Sequence, residues 1–206
     1  MGWVLLSPQL DEKTLMKNVV VVGVGALGSH LVPLLRNLDA TVKVVDFDRV
    51  ETKNTMSQFH AKSSVGKSKV QALQATMQFL WGVKLQVIPH KLTTDNQEQL
   101  LGGSDLLVDC LDNGPSRRLV QDYAKRKGVP CLHGALAADG SFGRVIWTES
   151  FTIDEAPGVG TPTCENGEHL AFISIVASYL AQVTSVFLAT GNKLGYSVHA
   201  GGAVRT

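Results

Sequence analysis

Residues 19–38, VVVVGVGALGSHLVPLLRNL, restrict the fold more than any other stretch of the chain. Four consecutive valines have no inward–outward alternation. Such a strand must be buried on both faces, the situation of a parallel sheet covered by helices on either side. Gly23, Gly25 and Gly28 follow in G-x-G-x-x-G spacing. Behind them Leu27, Leu31, Leu34 or Leu35, and Leu38 repeat with helical period. A glycine turn between a strand and a helix lets backbone approach a phosphate, and the helix N-terminus adds N–H donors and partial positive charge. The same glycines also suit a bare packing turn, and a bound nucleotide could be NAD or ATP. Pro33 inside the helix should kink it or remove one backbone hydrogen bond.

The rest of the chain alternates in the same way. Apolar runs at 41–46, 83–88, 105–112, 129–134, 142–147 and 194–199 read as strands. Helical spacing appears over 65–81 (Val70, Leu73, Met77, Leu80), near 95–101 and over 115–127. A Gly/Pro-rich loop occupies 150–168, and residues 1–17 read as a short helix or arm. Strands alternating with helices predict an α/β fold: a Rossmann-like, doubly wound, mostly parallel sheet with helices on both faces. At 206 residues, without a repeat or linker, one compact domain is expected.

Residues 169–190 contain no Asp, Glu, Lys or Arg and are long enough to span a membrane. Ser174, Ser178, Gln182 and Ser185 nevertheless draw a polar stripe along one helical face, and no basic cluster flanks the segment. A buried or interface helix is expected, not a membrane span. The formal charge of +1 and the lack of a Lys/Arg stripe argue against DNA, RNA or an anionic membrane as partner. Three irregularly spaced cysteines suit a reducing compartment. The N-terminus has no signal-peptide pattern, and Leu6 stands where myristoylation requires Ser or Thr. The expected location is the cytoplasm.

Asp46 ends the second strand about 20 residues past the glycine turn, where a carboxylate meets ribose hydroxyls; it would repel the 2′-phosphate of NADP. The block DFDRVETKNTMSQFHAKSSVGKSKV (46–70) goes further. Asp48, Asn54, Gln58 and Lys69 beside a ribose site have no task in a dehydrogenase, whereas a triphosphate needs donors and a metal. Here the chain resembles the ubiquitin-activating-enzyme-like adenylyltransferases, the ThiF/MoeB/HesA family. Gly23/Gly25/Gly28, Asp46/Asp48/Val50, Asn54, Gln58–Phe59 and Val65–Gly66 with Lys69 follow that family's motif order. Asp112, Asn113 and Arg117 match its later D-N-x-x-x-R pattern, and the resemblance implies that these three and Asp48 are among the nucleotide-binding residues.

The resemblance implies ATP and Mg²⁺ as cofactors. Asp46 would hold the ribose; Asn54, Gln58 and Lys69 would contact the triphosphate; Asp112 would bind Mg²⁺. A carboxylate beside a polyphosphate is repulsive unless a hard cation lies between them. Asp112–Asn113 also reads as a helix N-cap. The chain departs from the pattern at Ser57, where the family has Arg, and residues 1–17 supply no Arg. The family's paired C-x-x-C zinc ligands are absent as well, so no zinc site is expected. Cys110 and Cys131 lie in strand runs and read as core residues. Cys164, in the polar loop before the apolar helix, is the candidate catalytic nucleophile, with His169 able to stabilise its thiolate; an inert loop thiol is the alternative.

The implied activity is ATP-dependent adenylation of the C-terminal carboxylate of a small ubiquitin-like or sulfur-carrier protein, with transfer to Cys164 as a following step. A homodimer through the 169–190 helix is the implied assembly. Other readings stay open: a non-catalytic partner or scaffold, suggested by Ser57; an adenylyltransferase acting on a modified tRNA adenosine; and an NAD-dependent oxidoreductase.

Overall fold

The structure is a computed structural model and describes residues 16–153 and 167–206. Its elements are β1 (Lys17–Val22), α1 (Ala26–Leu34), β2 (Ala40–Val45), α2 (Lys69–Trp81), β3 (Gln86–Ile88), α3 (Gln97–Leu101) and β4 (Leu106–Asp109). They continue with α4 (Gly114–Lys127), β5 (Cys131–Leu136), β6 (Phe142–Trp147), α5 (Leu170–Thr190), β7 (Tyr196–His199) and β8 (Gly202–Arg205). Two 3-10 turns, Thr52–Met56 and Lys62–Ser64, lie between β2 and α2.

The strands form one sheet in the order β3-β2-β1-β4-β5-β6-β7-β8. The first five are parallel to one another, and β6, β7 and β8 continue antiparallel. The valine run behaves as two-faced burial requires. Val19 and Val21 join the core under α1, α2 and α5; Val20 and Val22 join the core under α3 and α4. Burying each valine stabilises by about 1.5–3 kcal/mol relative to leaving it exposed. The connections from β1 and from β4 leave in opposite senses, so their carboxyl ends flank the crevice where wound sheets bind ligands.

Helix α5 is long and apolar enough to cross a membrane by length and composition alone, with mean hydropathy 1.8. Here it is a core helix: Phe172, Ile173, Val176, Ala177, Leu180 and Val183 are buried in the larger core. Two strand glycines admit it. A Cβ at Gly134 would fall 2.6 Å from Leu180 Cδ1, and one at Gly143 would fall 2.5 Å from Val176 Cγ2. The polar stripe is largely absorbed by its own helix, with the Ser174, Ser178 and Ser185 hydroxyls donating to carbonyls four residues back.

Three details differ from the sequence reading, and a fourth selects between its alternatives. Helix α2 starts at Lys69, not 65, because Gly66–Lys69 is held against Asp48–Val50 by a short backbone pairing. Leu80 is 48% exposed, since the last turn of α2 runs past its buried stripe of Val70, Leu73 and Met77. Pro33 does not kink α1 midway: it stands one residue before the helix end, so its missing N–H removes a bond of the last turn, the second of the two expected outcomes. Strand β8, four residues beginning with Gly202, carries too weak an alternation to be read from sequence and exists by pairing with β7.

Candidate functional site

At the end of β1 the chain turns through Gly23, whose φ of +88° is disfavoured for any side chain. A Cβ there would also lie 3.0 Å from the Cys110 carbonyl oxygen and 3.2 Å from the Leu111 nitrogen. The glycine turn is therefore pressed against the turn that leaves β4. Gly28, in the first turns of α1, is more constrained still, with its Cβ position 1.9 Å from the Gly23 carbonyl oxygen. Gly25 differs: the nearest atom to its Cβ position is Gln58 Nε2, 3.9 Å away. Packing thus explains two glycines and leaves open space at the third. Helix α1 follows with no side-chain cap and no acid in its first turn. Its N–H groups and dipole are therefore suited to an anion.

Asp46 joins this turn to the next strand. Its Oδ2 accepts from the Val24 N–H and its Oδ1 from the Asp48 N–H, both at 2.8 Å. Burial pushes its carboxyl above the usual range, opposed by the Asp48 N–H, the Lys69 charge and the Val24 N–H. Beside it, Lys69 opens α2. Its backbone N–H bonds the Asp48 carbonyl and its ammonium donates to Asp48 Oδ2, each at 2.9 Å. The Lys69 side chain is 8% exposed and the Asp48 carboxylate 46%. A sheltered cation therefore faces a partner that water, or another anion, can replace.

The segment after the first 3-10 turn clasps the glycine loop. The His30 Nε2–H donates to the Ser57 carbonyl at 3.0 Å, and Phe59 N–H donates to Ser29 Oγ at 2.8 Å. His60 Nε2–H donates to the Val24 carbonyl at 3.0 Å. Burial lowers the pKa of both histidines, aided at His60 by the Lys69 and His30 charges. Gln58 is buried by this clasp, and its Oε1 has no hydrogen-bond partner among the described residues. An orphaned buried carbonyl costs about 1–3 kcal/mol and calls for a missing donor. Asn54 holds the 3-10 turn, with Oδ1 accepting from Glu51 N–H at 2.9 Å and the Glu51 carboxylate capping Asn54 in return.

Across the crevice, Asp112 is exposed on the turn between β4 and α4. Asn113 caps α4, its Oδ1 accepting from Ser116 N–H at 2.9 Å, while its Nδ2 reaches Asp112 Oδ1 at 3.4 Å. Asn113 is thus the N-cap of the pair, and the Asp112 carboxylate is left exposed. Arg117, expected at a nucleotide, is instead held in the interior. Its Nη1 donates to Asp109 Oδ2 at 2.9 Å and its Nη2 to the Gly134 carbonyl at 2.6 Å. A guanidinium with fully buried Asp109 as partner has no reason to turn outward. Among the described residues no three His, Cys, Asp or Glu side chains converge as a metal cluster. Mg²⁺ on a nucleotide needs only one or two carboxylates besides phosphates.

Cys164 lies outside the described residues. Gly167, three positions on, packs by the clasp: its Cβ position is 3.0 Å from the Met56 carbonyl oxygen. His169 sits against the β5–β6 turn, its ring 2.4 Å from the Cβ position of Gly140. Cys110 and Cys131 are free and buried, and desolvation raises both thiols. Sequence reasoning missed Ser29, His30, His60, Asp109 and His133. Asp109 leaves a signal: a carboxylate ending an otherwise apolar run, LLVD, demands a buried partner.

The sequence profile of the ThiF family matches residues 1–198. The chain belongs to the ThiF family. It is 38% identical over 137 residues to a sulfur carrier protein adenylyltransferase of Thermus thermophilus, covering 64% of this chain and 49% of the relative. It is 32% identical to a SAMP-activating enzyme E1 of Haloferax volcanii, covering 64% and 50%. A probable adenylyltransferase/sulfurtransferase MoeZ of Mycobacterium tuberculosis is 28% identical, covering 91% and 52%. The chain thus spans about half the length of these relatives. The crystal structure of E. coli MccB with MccA-N7isoASN superimposes with TM-score 0.76 at 14% identity, covering 92% of this chain and 63% of that one. At that identity the likeness speaks for the fold alone.

Proposed function

We propose that this ThiF-family chain binds ATP with Mg²⁺ in the crevice and adenylates the C-terminal carboxylate of a small ubiquitin-like or sulfur-carrier protein. One observation carries the reading: the sheltered Lys69 ammonium, on a replaceable carboxylate, acts on Asp46, which itself holds the glycine turn at Val24. That is a donor set for a ribose followed by several phosphates, and a nicotinamide would leave Lys69 idle. The names of the relatives from Thermus and Haloferax supply the substrate class.

In this reading the Asp46 carboxylate exchanges its backbone donors for ribose hydroxyls. The Gly25 opening and the first N–H groups of α1 receive phosphate oxygens, and Lys69 leaves Asp48 for the triphosphate. Asp112 would hold Mg²⁺, and the ion would supply neutralisation of the phosphate charge that repels an incoming carboxylate. The substrate carboxylate oxygen attacks the α-phosphorus, the bond to the β-phosphate oxygen breaks, and pyrophosphate leaves with the electron pair. Positioning and charge neutralisation carry the step. In a second transfer the Cys164 thiolate attacks the acyl carbonyl, the bond to the phosphate oxygen breaks and AMP leaves. A second copy docks on the exposed face of α5, where Leu170 and Ile175 are uncovered. Free, buried Cys110 and Cys131 suit the cytoplasm.

ATP–pyrophosphate exchange with a ubiquitin-like protein tests this. Asp112→Ala abolishes exchange; Cys164→Ala keeps it and loses only thiol-linked product. Unchanged exchange in Asp112→Ala removes the metal assignment. Ser57, fully buried where the family pattern has Arg, favours one alternative, a non-catalytic scaffold. Binding of the carrier protein without exchange in the wild type would select it.

A further inference from the structure

The most elaborate polar cluster in the described residues lies behind the crevice and has no part in the chemistry above. Asp109, at the end of β4, is fully buried. Its Oδ1 accepts from the Leu111 N–H at 2.9 Å. Its Oδ2 accepts from Arg117 Nη1 at 2.9 Å and from the His133 Nδ1–H at 2.8 Å. His133, also fully buried, meets Thr148 Oγ1 through Nε2 at 2.6 Å. Its ring stacks on Phe151, with centroids 4.2 Å apart and planes 20° apart.

The order Asp109–His133–Thr148 has the connectivity of a hydrolytic triad, but not its surroundings. Thr148 is 7% exposed, and Arg117 occupies the carboxylate oxygen that the histidine shares. No substrate reaches that hydroxyl. Stability alone is also a weak reason for the cluster, because buried ion pairs seldom outperform apolar packing of the same volume.

What the cluster achieves is geometric. The carboxylate plane of Asp109 is fixed on one side by Arg117 and His133, which leaves Oδ1 aimed at the Leu111 N–H. That bond ends β4 and bends the chain into the turn carrying Asp112. Arg117 ties the same carboxylate to α4, whose cap is Asn113, so both ends of the Asp112 turn hang on one anchor. The glycine turn rests on this backbone as well, through Gly23 against Cys110 and Leu111.

We propose that Asp109 and His133 are positioning residues that set Asp112 against the glycine loop for the metal–nucleotide complex; this rests on the ATP reading above. Groups of this kind, one layer behind a ligand, change metal affinity by roughly 10–100-fold when removed.

The test uses the full chain with His133→Ala and His133→Asn, the latter retaining a donor for Asp109. Two quantities are read: ATP affinity across a Mg²⁺ series ending in excess EDTA, and hydrogen exchange at the Leu111 amide. His133→Ala should raise the Mg²⁺ needed for half-maximal ATP affinity about 10-fold, leave metal-free binding unchanged and speed exchange at Leu111. His133→Asn should restore both. Loss of melting temperature with an unmoved Mg²⁺ midpoint and intact Leu111 protection would overturn the proposal. If His133→Ala does not fold, Thr148→Val, which leaves Nε2 only the longer 3.5 Å contact to Cys131 Sγ, should move both readouts the same way by a smaller factor; no movement would equally overturn it. A wild type that binds no ATP at any Mg²⁺ concentration defeats the ATP reading instead, and Leu111 exchange still decides the anchor.

Discussion

Asp46 and Asp109 stand at the carboxyl ends of the two strands that flank β1, and they use their oxygens in opposite ways. Asp46 is half-buried and holds two backbone N–H groups. Asp109 is fully buried and holds one N–H, a guanidinium and an imidazole. Neutral donors at an open edge can be traded for a ligand; an ion pair in the interior cannot, because breaking it strands a buried charge. The sheet therefore builds a receptive wall on one side of the glycine turn and a fixed wall on the other.

The largest effect that sharpens this contrast is Arg117→Ala, expected to lose about 3–5 kcal/mol in urea unfolding because Asp109 is left buried without its cation. Lys69→Met should lose about 1 kcal/mol or less, since water re-solvates the half-exposed Asp48. Equal losses would erase the distinction between the walls.

The glycine turn divides in the same manner. Gly28→Ala drives a methyl into the Gly23 carbonyl and should cost about 1–3 kcal/mol or more. Gly25→Ala meets nothing closer than 3.9 Å, so stability should hold within about 0.5 kcal/mol while nucleotide affinity falls. Thermal melts with and without ATP separate the two. At the fixed wall's outer end, Asn113→Ala removes the α4 cap and should cost about 1 kcal/mol, and Asp112→Ala almost nothing.

The smallest expected effect is on pH. His30 and His60 have folded-state pKa values below the ordinary 6.5. The unfolded chain therefore binds more protons, and their stabilisation is complete above 6.5 and lost as pH falls below it. The slope is at most about 1.4 kcal/mol per pH unit for each histidine. Denaturant midpoints from pH 7.5 to 5.5 should show it, and His60→Gln, which can still donate to the Val24 carbonyl, should flatten it. An unchanged slope would remove His60 from the receptive wall.

The receptive wall was largely legible in the sequence, because it is built from local spacing: the glycine fingerprint, Asp46 at a strand end, and Lys69 opening a helix. The fixed wall was not. Its members come from β4, α4, β5 and the residue that follows β6, and their meeting depends on which strands become neighbours. Arg117 shows the limit most clearly, since helical spacing places it on α4 but only tertiary pairing shows which way its guanidinium turns. Leu80 and β8 were misread or missed for related reasons, one lying past the edge of the core and the other existing only through its partner strand.

The central claim is that the receptive wall takes a triphosphate. Calorimetric titration of ATP into wild type and Lys69→Met, at saturating Mg²⁺ and with NADH as a parallel ligand, tests it most directly. The account predicts ATP binding by the wild type, an affinity loss of roughly 100-fold in Lys69→Met, on the scale of a lost charge-assisted phosphate contact, and no comparable NADH binding. Equal ATP affinity in the two proteins, or NADH binding that Lys69→Met leaves intact while ATP fails to bind, would contradict it.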